Sequence, residues 1–182
     1  MREIELKAHA GDSVSVRKNL EKLYGEGKEV HKSDHYFRRP GESIQAMRIR
    51  SYNGIIEMTC KKTSSDENGE NNFEYEFHAS PDQLEPAIRF FHALGLEDFF
   101  VKKKDGLEWY GDGAHIELLS VNNLGWFLEI EILLPFDAPE DDVAKAGRDI
   151  HRILHSAGLS EEDIEVRSYR EMILEGGNGI QG

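Results

Sequence analysis

The sequence predicts an α+β fold built on a largely antiparallel sheet. Polar and apolar residues alternate with period two in about eight segments. Helical spacing appears only where that alternation stops, and strands precede a helix, then further strands, then helices. The chain has 182 residues, 38% of them hydrophobic, enough to build the core of one domain or of two small packed ones.

In chain order, Glu3, Glu5 and Lys7 alternate with Ile4, Leu6 and Ala8 in a first strand. Val16, Leu20 and Leu23 then follow helical spacing after Asp12 and Ser13, with Gly25 placed to end the helix. Strands follow where Arg48 and Arg50 alternate with Met47 and Ile49, and where Glu57, Thr59 and Lys61 alternate with Ile56, Met58 and Cys60. The polar segment Thr63 to Asn71 is expected to be a loop, because it carries turn formers and nothing to bury. Glu74 and Glu76 sit between Phe73, Tyr75 and Phe77 in the next strand, whose aromatic face is expected to join the core. A second helix is expected between Ser80 and Gly95, kinked or delayed by Pro86. Further strands are expected at Val101 to Lys104, Glu108 to Tyr110, His115 to Leu119 and Leu128 to Ile132. Pro139 opens a third helix running to Gly158, and Ser160 with Asp163 forms a capping box for a short fourth. The glycine-rich tail from Gly176 is expected to fray.

Lys and Arg total 22 against 35 Asp and Glu, a net charge of −13, which argues against general nucleic-acid or anionic-membrane binding. No stretch approaches the roughly 18 apolar residues needed to span a bilayer. The start at Met1 resembles neither a signal nor a transit peptide, so a cytoplasmic location is expected. Cys60 is the single cysteine and is expected to be a buried, inert thiol. Neither the P-loop nor the dinucleotide-binding glycine pattern occurs, so phosphates would have to be held by side chains. His151 and His155 stand four apart on a helix, but the sequence offers no third ligand beside them.

The polar strand faces carry six carboxylates, Glu3, Glu5, Glu74, Glu76, Glu129 and Glu131, and six cations, Lys7, Arg48, Arg50, Lys61, Lys102 and Lys104. A solvated sheet face would be served as well by threonine. Closing the sheet into a barrel would instead gather both signs in one lumen, with the apolar faces outward under the helices. Clustered carboxylates suit hard divalent cations such as Mg²⁺ or Mn²⁺, while Arg forks and Lys ammonium groups suit phosphate oxygens. A triphosphate carrying a divalent metal uses both.

Glu3-Ile4-Glu5-Leu6-Lys7 resembles the E-x-E-x-K signature of the CYTH superfamily of triphosphate tunnel metalloenzymes, which includes class IV adenylate cyclases and thiamine triphosphatases. The order of later segments extends the resemblance over nearly the whole chain. Asp34-His35-Tyr36-Phe37 resembles D-x-Y-F, Met47 to Arg50 resembles L-R-I-R, and Thr59-Cys60-Lys61 resembles T-x-K. Glu74-Tyr75-Glu76 resembles E-x-E, Leu124 to Glu131 resembles L-G-x-F-x-E-I-E, and Ser168 to Met172 resembles the closing segment. The resemblance implies a closed eight-stranded antiparallel β-barrel, or tunnel, with flanking helices, over residues 1–175, followed by a flexible tail at 176–182. It implies that Glu3, Glu5, Glu129 and Glu131 hold Mg²⁺ or Mn²⁺. It further implies that Lys7, Arg48, Arg50, Lys61, Lys102 and Lys104 cradle the triphosphate with Glu74 and Glu76, and that Lys7, Lys61 and Lys102 serve catalysis.

The chain departs from the family pattern at Asn72, at Lys104 where K-x-R is usual, and at Leu118-Leu119 where L-D is usual. The last departure leaves the expected site one carboxylate short, and Leu119→Asp is expected to raise the rate. The leading expectation is conversion of ATP to cyclic AMP and pyrophosphate. Hydrolysis of thiamine, nucleoside or inorganic triphosphate and non-catalytic polyphosphate binding are the alternatives, with no nucleic-acid or membrane partner and with a homodimer left open.

Overall fold

The structure, a computed structural model, describes residues 2–41, 46–66 and 69–176. It contains strands β1 (Arg2–His9), β2 (Lys28–Arg38), β3 (Ala46–Tyr52), β4 (Ile55–Asp66), β5 (Gly69–Ala79), β6 (Glu97–Gly111), β7 (Ala114–Val121) and β8 (Gly125–Leu134). The α-helices are α1 (Ser13–Tyr24), α2 (Leu84–Ala93), α3 (Glu140–Ser156) and α4 (Tyr169–Glu175). All eight strands belong to one sheet, in the order β1-β8-β7-β6-β2-β3-β4-β5. The α+β class and the antiparallel sheet therefore stand as the sequence predicts.

The chain divides into two units, one of Met1–Val30 with Lys104–Ser168 and one of His31–Lys103 with Tyr169–Gly182. In the first, α1 is capped by Asp12, whose Oδ1 accepts from the Ser15 amide at 3.1 Å, and ends at Gly25 with φ 83°. Its Val16 and Leu20 join Ala146, Ile150, Ile153 and Leu154 of α3 against Trp109, Ile116, Leu118, Leu128 and Ile130 on one face of the strands. The even-numbered positions of β7 and β8 are thereby committed to the core, and the odd-numbered ones face the other way. In the second unit, Ala87 and Phe91 of α2 pack on Phe37, Ile49, Ile56 and Met58. Pro86 sits in the first turn of α2, where its missing N–H costs no helical bond, so it neither kinks nor breaks the helix.

Two hairpins are closed by two-residue turns with both residues at positive φ: Asn53-Gly54 (50° and 73°) between β3 and β4, and Asp112-Gly113 (54° and 77°) between β6 and β7. These turns suit the strand twist and fix the register on either side. Between β6 and β7 the backbones approach so closely at Gly106 that a Cβ there would stand 2.0 Å from the carbonyl oxygen of Leu118.

Several elements differ from expectation. The two short strands expected around Lys102 and Trp109 are one 15-residue strand, β6, because Asp105-Gly106 continues the ladder instead of breaking it. Strand β2 was hidden by its mixed polarity, so the expected total of about eight holds through two offsetting differences. The expected loop at Thr63 to Asn71 is largely a ladder, with Thr63 opposite Asn72 and Asp66 opposite Gly69, since backbone pairing needs no apolar side chains. The fourth helix is only a 3₁₀ turn, Glu161–Asp163, although the Ser160–Asp163 capping box is present, and α4 lies beyond it. The expectation for the tail falls almost wholly on residues outside those described. Among the described residues, no helix is long and apolar enough to cross a membrane.

Candidate functional site

In the first unit the odd-numbered face of β1, β8 and β7 gathers charge in two rows. Register places Glu5 opposite Glu131, Glu131 opposite His115 and His115 opposite Tyr110. The adjacent row runs Lys7, Glu129, Glu117, Glu108. Carboxylates directly opposite one another repel, and this face holds several such pairs. Lys104 answers part of the charge, its Nζ donating to both oxygens of Glu129 at 2.8 and 2.7 Å. Lys28 Nζ donates to Glu108 at 3.1 Å, and Lys7 donates to the carbonyl of Arg167. Repulsion still outweighs these contacts at two positions: burial, then the charges of Glu129 and Glu3, push the Glu5 carboxyl up, and burial followed by Glu3 does the same to Glu131. Burial pushes the Lys7 ammonium down. An all-oxygen set held under mutual repulsion fits a hard divalent cation, which would relieve that repulsion.

The second unit presents a face of mixed charge, on which Arg48, Arg50 and Lys102 stand among Asp34, Glu57 and Glu76. Its rows are Asp34, Arg50, Glu57, His78 and Tyr36, Arg48, Thr59, Glu76. Asp34 is fully buried and accepts two bonds from Arg50, Nε at 2.6 Å and Nη2 at 2.9 Å, while Lys102 Nζ stands 3.1 Å from its Oδ2. Burial alone would push the Asp34 carboxyl up, but the Arg50 hydrogen bonds and the Lys102 charge outweigh it and hold the group well below the usual carboxylate range. Lys102 also donates to Tyr36 Oη at 3.2 Å and lies over the rings of Tyr36 and Tyr169. Arg48 Nη2 donates to Glu57 at 2.8 Å and to Thr59 at 3.1 Å. Its Nε is buried and finds no acceptor among the described residues. A buried donor left in that state costs about 1–3 kcal/mol, which an anionic oxygen would recover.

The residues singled out in the sequence thus fall in two groups. Glu3, Glu5, Lys7, Lys104, Glu129 and Glu131 belong to the first unit, and Arg48, Arg50, Glu76 and Lys102 to the second. Lys61 and Glu74 pair with each other across β4 and β5, but their side chains lie outside the described residues. Sequence reasoning missed Asp34, which holds Arg50 and Lys102 in place, although it stood in the D-x-Y-F segment. It also missed Glu108, His115 and Glu117, whose shared face emerges only from the β6–β7 register.

Leu119 changes meaning in the structure. It is fully buried opposite Phe127 and Gly106, while the residue opposite Glu129 is Glu117, so β7 does supply a carboxylate to this face. Cys60 is half-buried rather than buried. Tyr75 and Phe77, expected in the core, are 62% and 58% exposed, because the apolar residues packed with α2 come chiefly from β2, β3 and β4. Glu161 stands beside the helical histidines, 2.8 Å from His155 and 3.4 Å from His151.

The pattern of the CYTH domain family matches residues 1–169. No curated protein matches the sequence. Among solved structures, the PH1012 protein of Pyrococcus horikoshii is 28% identical with TM-score 0.71, over 93% of this chain and 98% of that one. A conserved hypothetical protein of Pyrococcus furiosus is 28% identical with TM-score 0.72, over 94% and 100%. A candidate adenylate cyclase of Vibrio parahaemolyticus is 20% identical with TM-score 0.74, over 94% and 97%, a likeness of fold.

Proposed function

The chain belongs to the CYTH domain family, and from that premise we propose that it is a divalent-metal-dependent enzyme acting on a triphosphate, with ATP cyclisation as its first activity. Closure of the eight strands into a tunnel is part of the same proposal, supported by the family match. The observation that carries the reading is the face of Arg48, Arg50 and Lys102: three cations in one unit, two organised by a buried aspartate and the third holding an unused buried donor.

Arg48 and Arg50 offer planar forks to phosphate oxygens, and Lys102 offers a point charge whose position Asp34 and Tyr36 fix. Lys61, Lys104, Glu74 and Glu76 belong to the same phosphate-binding proposal, and Lys7 and Lys61 join Lys102 in the catalytic one. Glu3, Glu5, Glu129 and Glu131 would hold Mg²⁺ or Mn²⁺, which when bound neutralises phosphate charge. What the protein contributes is in-line positioning and fixed charge, the main resources of phosphoryl transfer. In cyclisation the 3′-hydroxyl of ATP attacks the α-phosphorus and pyrophosphate leaves. In hydrolysis water attacks the terminal phosphorus instead, the diphosphate leaves and orthophosphate is released.

Incubation with ATP, thiamine triphosphate and inorganic triphosphate, each with Mg²⁺ or Mn²⁺, tests the reading. Cyclic AMP and pyrophosphate in equal amounts are the expected products. Orthophosphate release would replace the cyclase by a triphosphatase, and binding without turnover of any substrate would overturn the enzyme.

A further inference from the structure

The β6–β7 hairpin, closed by Asp112-Gly113, sets Glu108 opposite Glu117 and Tyr110 opposite His115 on one face. One ligand atom from each of Glu108, His115 and Glu117 lies within 4.8 Å of the other two. His115 Nε2 is 3.0 Å from Glu108 Oε2 and 3.9 Å from Glu117 Oε1. A tetrahedral ion with bonds of about 2.0–2.2 Å holds its ligands about 3.3–3.6 Å apart, so these two separations straddle the required value and small side-chain shifts reach it.

From this geometry we infer that Glu108, His115 and Glu117 form a binding site for a transition-metal dication of the Zn²⁺ or Co²⁺ type. Three physical features support the site. The carboxylates of Glu108 and Glu117 are only 1% and 7% exposed, so water screens their charge little and a cation among them is held strongly. Lys28 supplies one positive charge to Glu108, Glu129 opposite Glu117 is answered by Lys104, and Glu131 opposite His115 adds negative charge. The His115 ring is stacked on Tyr110 at 4.5 Å and 7°, and Tyr110 Oη donates to Glu108 Oε2 at 3.4 Å. Such outer contacts orient metal ligands. The imidazole nitrogen is what separates this site from the carboxylates Glu3, Glu5, Glu129 and Glu131: it suits Zn²⁺ or Co²⁺, whereas Mg²⁺ prefers oxygen in near-octahedral array. The inference rests on the first unit alone and needs no triphosphate.

The test is titration of the metal-free full chain with Co²⁺, read by its visible spectrum, then displacement by Zn²⁺, with no nucleotide present. Saturable uptake with the intense visible absorption of four-coordinate Co²⁺ is expected, as distinct from the weak absorption of Co²⁺ in an all-oxygen six-coordinate site, and weakened at least about tenfold in His115→Ala. It should survive in Glu3→Gln/Glu5→Gln and in His151→Ala/His155→Ala, variants that remove the β1 half of the carboxylate set and the helical histidines. If His115→Ala fails to fold, histidine ¹⁵N spectra of the wild type during Zn²⁺ titration decide, with His115 Nε2 expected to move to the metal-bound range. Equal Co²⁺ affinity in folded His115→Ala, loss of uptake in either double variant, a stationary His115 resonance, or no saturable uptake by the wild type would overturn the site. Failure of the triphosphate assays would leave all of these readouts untouched.

Discussion

Asp34→Asn removes the one buried carboxylate that Arg50 and Lys102 share, while keeping its shape. The two cations are 20% and 10% exposed, so neither can recover full hydration when the charge is lost. Breaking a buried ion pair by removing one partner costs about 3–5 kcal/mol, and the residual exposure of Arg50 argues for the lower end. At about 2–4 °C per kcal/mol for a chain of this size, a loss of about 3 kcal/mol lowers Tm by about 6–12 °C. Differential scanning calorimetry at pH 7 reads this directly. The pH dependence supplies an internal check. Because the folded pKa of Asp34 lies below its unfolded value of about 3.9, its stabilisation is present above that pH and disappears as pH falls through the folded value. The gap between wild type and variant should therefore close in acid. Inorganic triphosphate should raise the variant's Tm more than the wild type's, because it supplies the missing negative charge. A Tm within 2 °C of wild type at pH 7, or a gap that widens in acid, would refute the reasoning.

Without divalent metal, Glu5→Gln should raise Tm at pH 7, since burial and its neighbours penalise the charged form; the gain should shrink as pH falls through the raised folded value and vanish below about pH 3, where the carboxyl is protonated in both states. Glu129→Gln should instead lower Tm, because Lys104 loses a partner bonded through both oxygens; a shift of the same sign in the two variants would count against the face as described. Leu119→Asp places a carboxylate at a fully buried position beside Phe127 and should cost several kcal/mol without raising any turnover, so a stable, faster variant would restore the sequence-based expectation. Arg48→Lys keeps charge but loses the fork and the Nε donor, so steady-state kinetics should show a raised KM or reduced kcat, and identical kinetics would remove Arg48 from the site.

The strands with clean alternation were legible because a sheet with one packed face imposes period two on the sequence, as at Glu129 and Glu131 between Leu128, Ile130 and Ile132. β2 was not, because Asp34 is a buried charge at a position that alternation alone treats as outward and solvated. The individual charges of the site were readable for the same reason as the strands. Their partners were not: that Glu117 rather than Leu119 stands opposite Glu129 depends on the β7–β8 register, which the turn through Asn122, Asn123 and Leu124 sets, while the Asp112-Gly113 turn sets the pairing of Glu117 with Glu108. The ladder through Thr63 to Asp66 escaped notice because polar composition suppresses the side-chain signal while leaving backbone pairing intact.

Gly106 turns the close approach of β6 and β7 into a ruler. It lies midway between Lys104 and Glu108, at a position where the carbonyl of Leu118 leaves no room for any β-carbon. The charges on either side can be exchanged one at a time without disturbing the backbones, but the interval between them cannot be reset without prising the strands apart. In a saturation-mutagenesis map of β6, position 106 should therefore appear as a single permitted residue bounded by positions whose tolerance follows ligand chemistry. The strand would record two separate histories, one of packing and one of binding, at alternate steps along the same face.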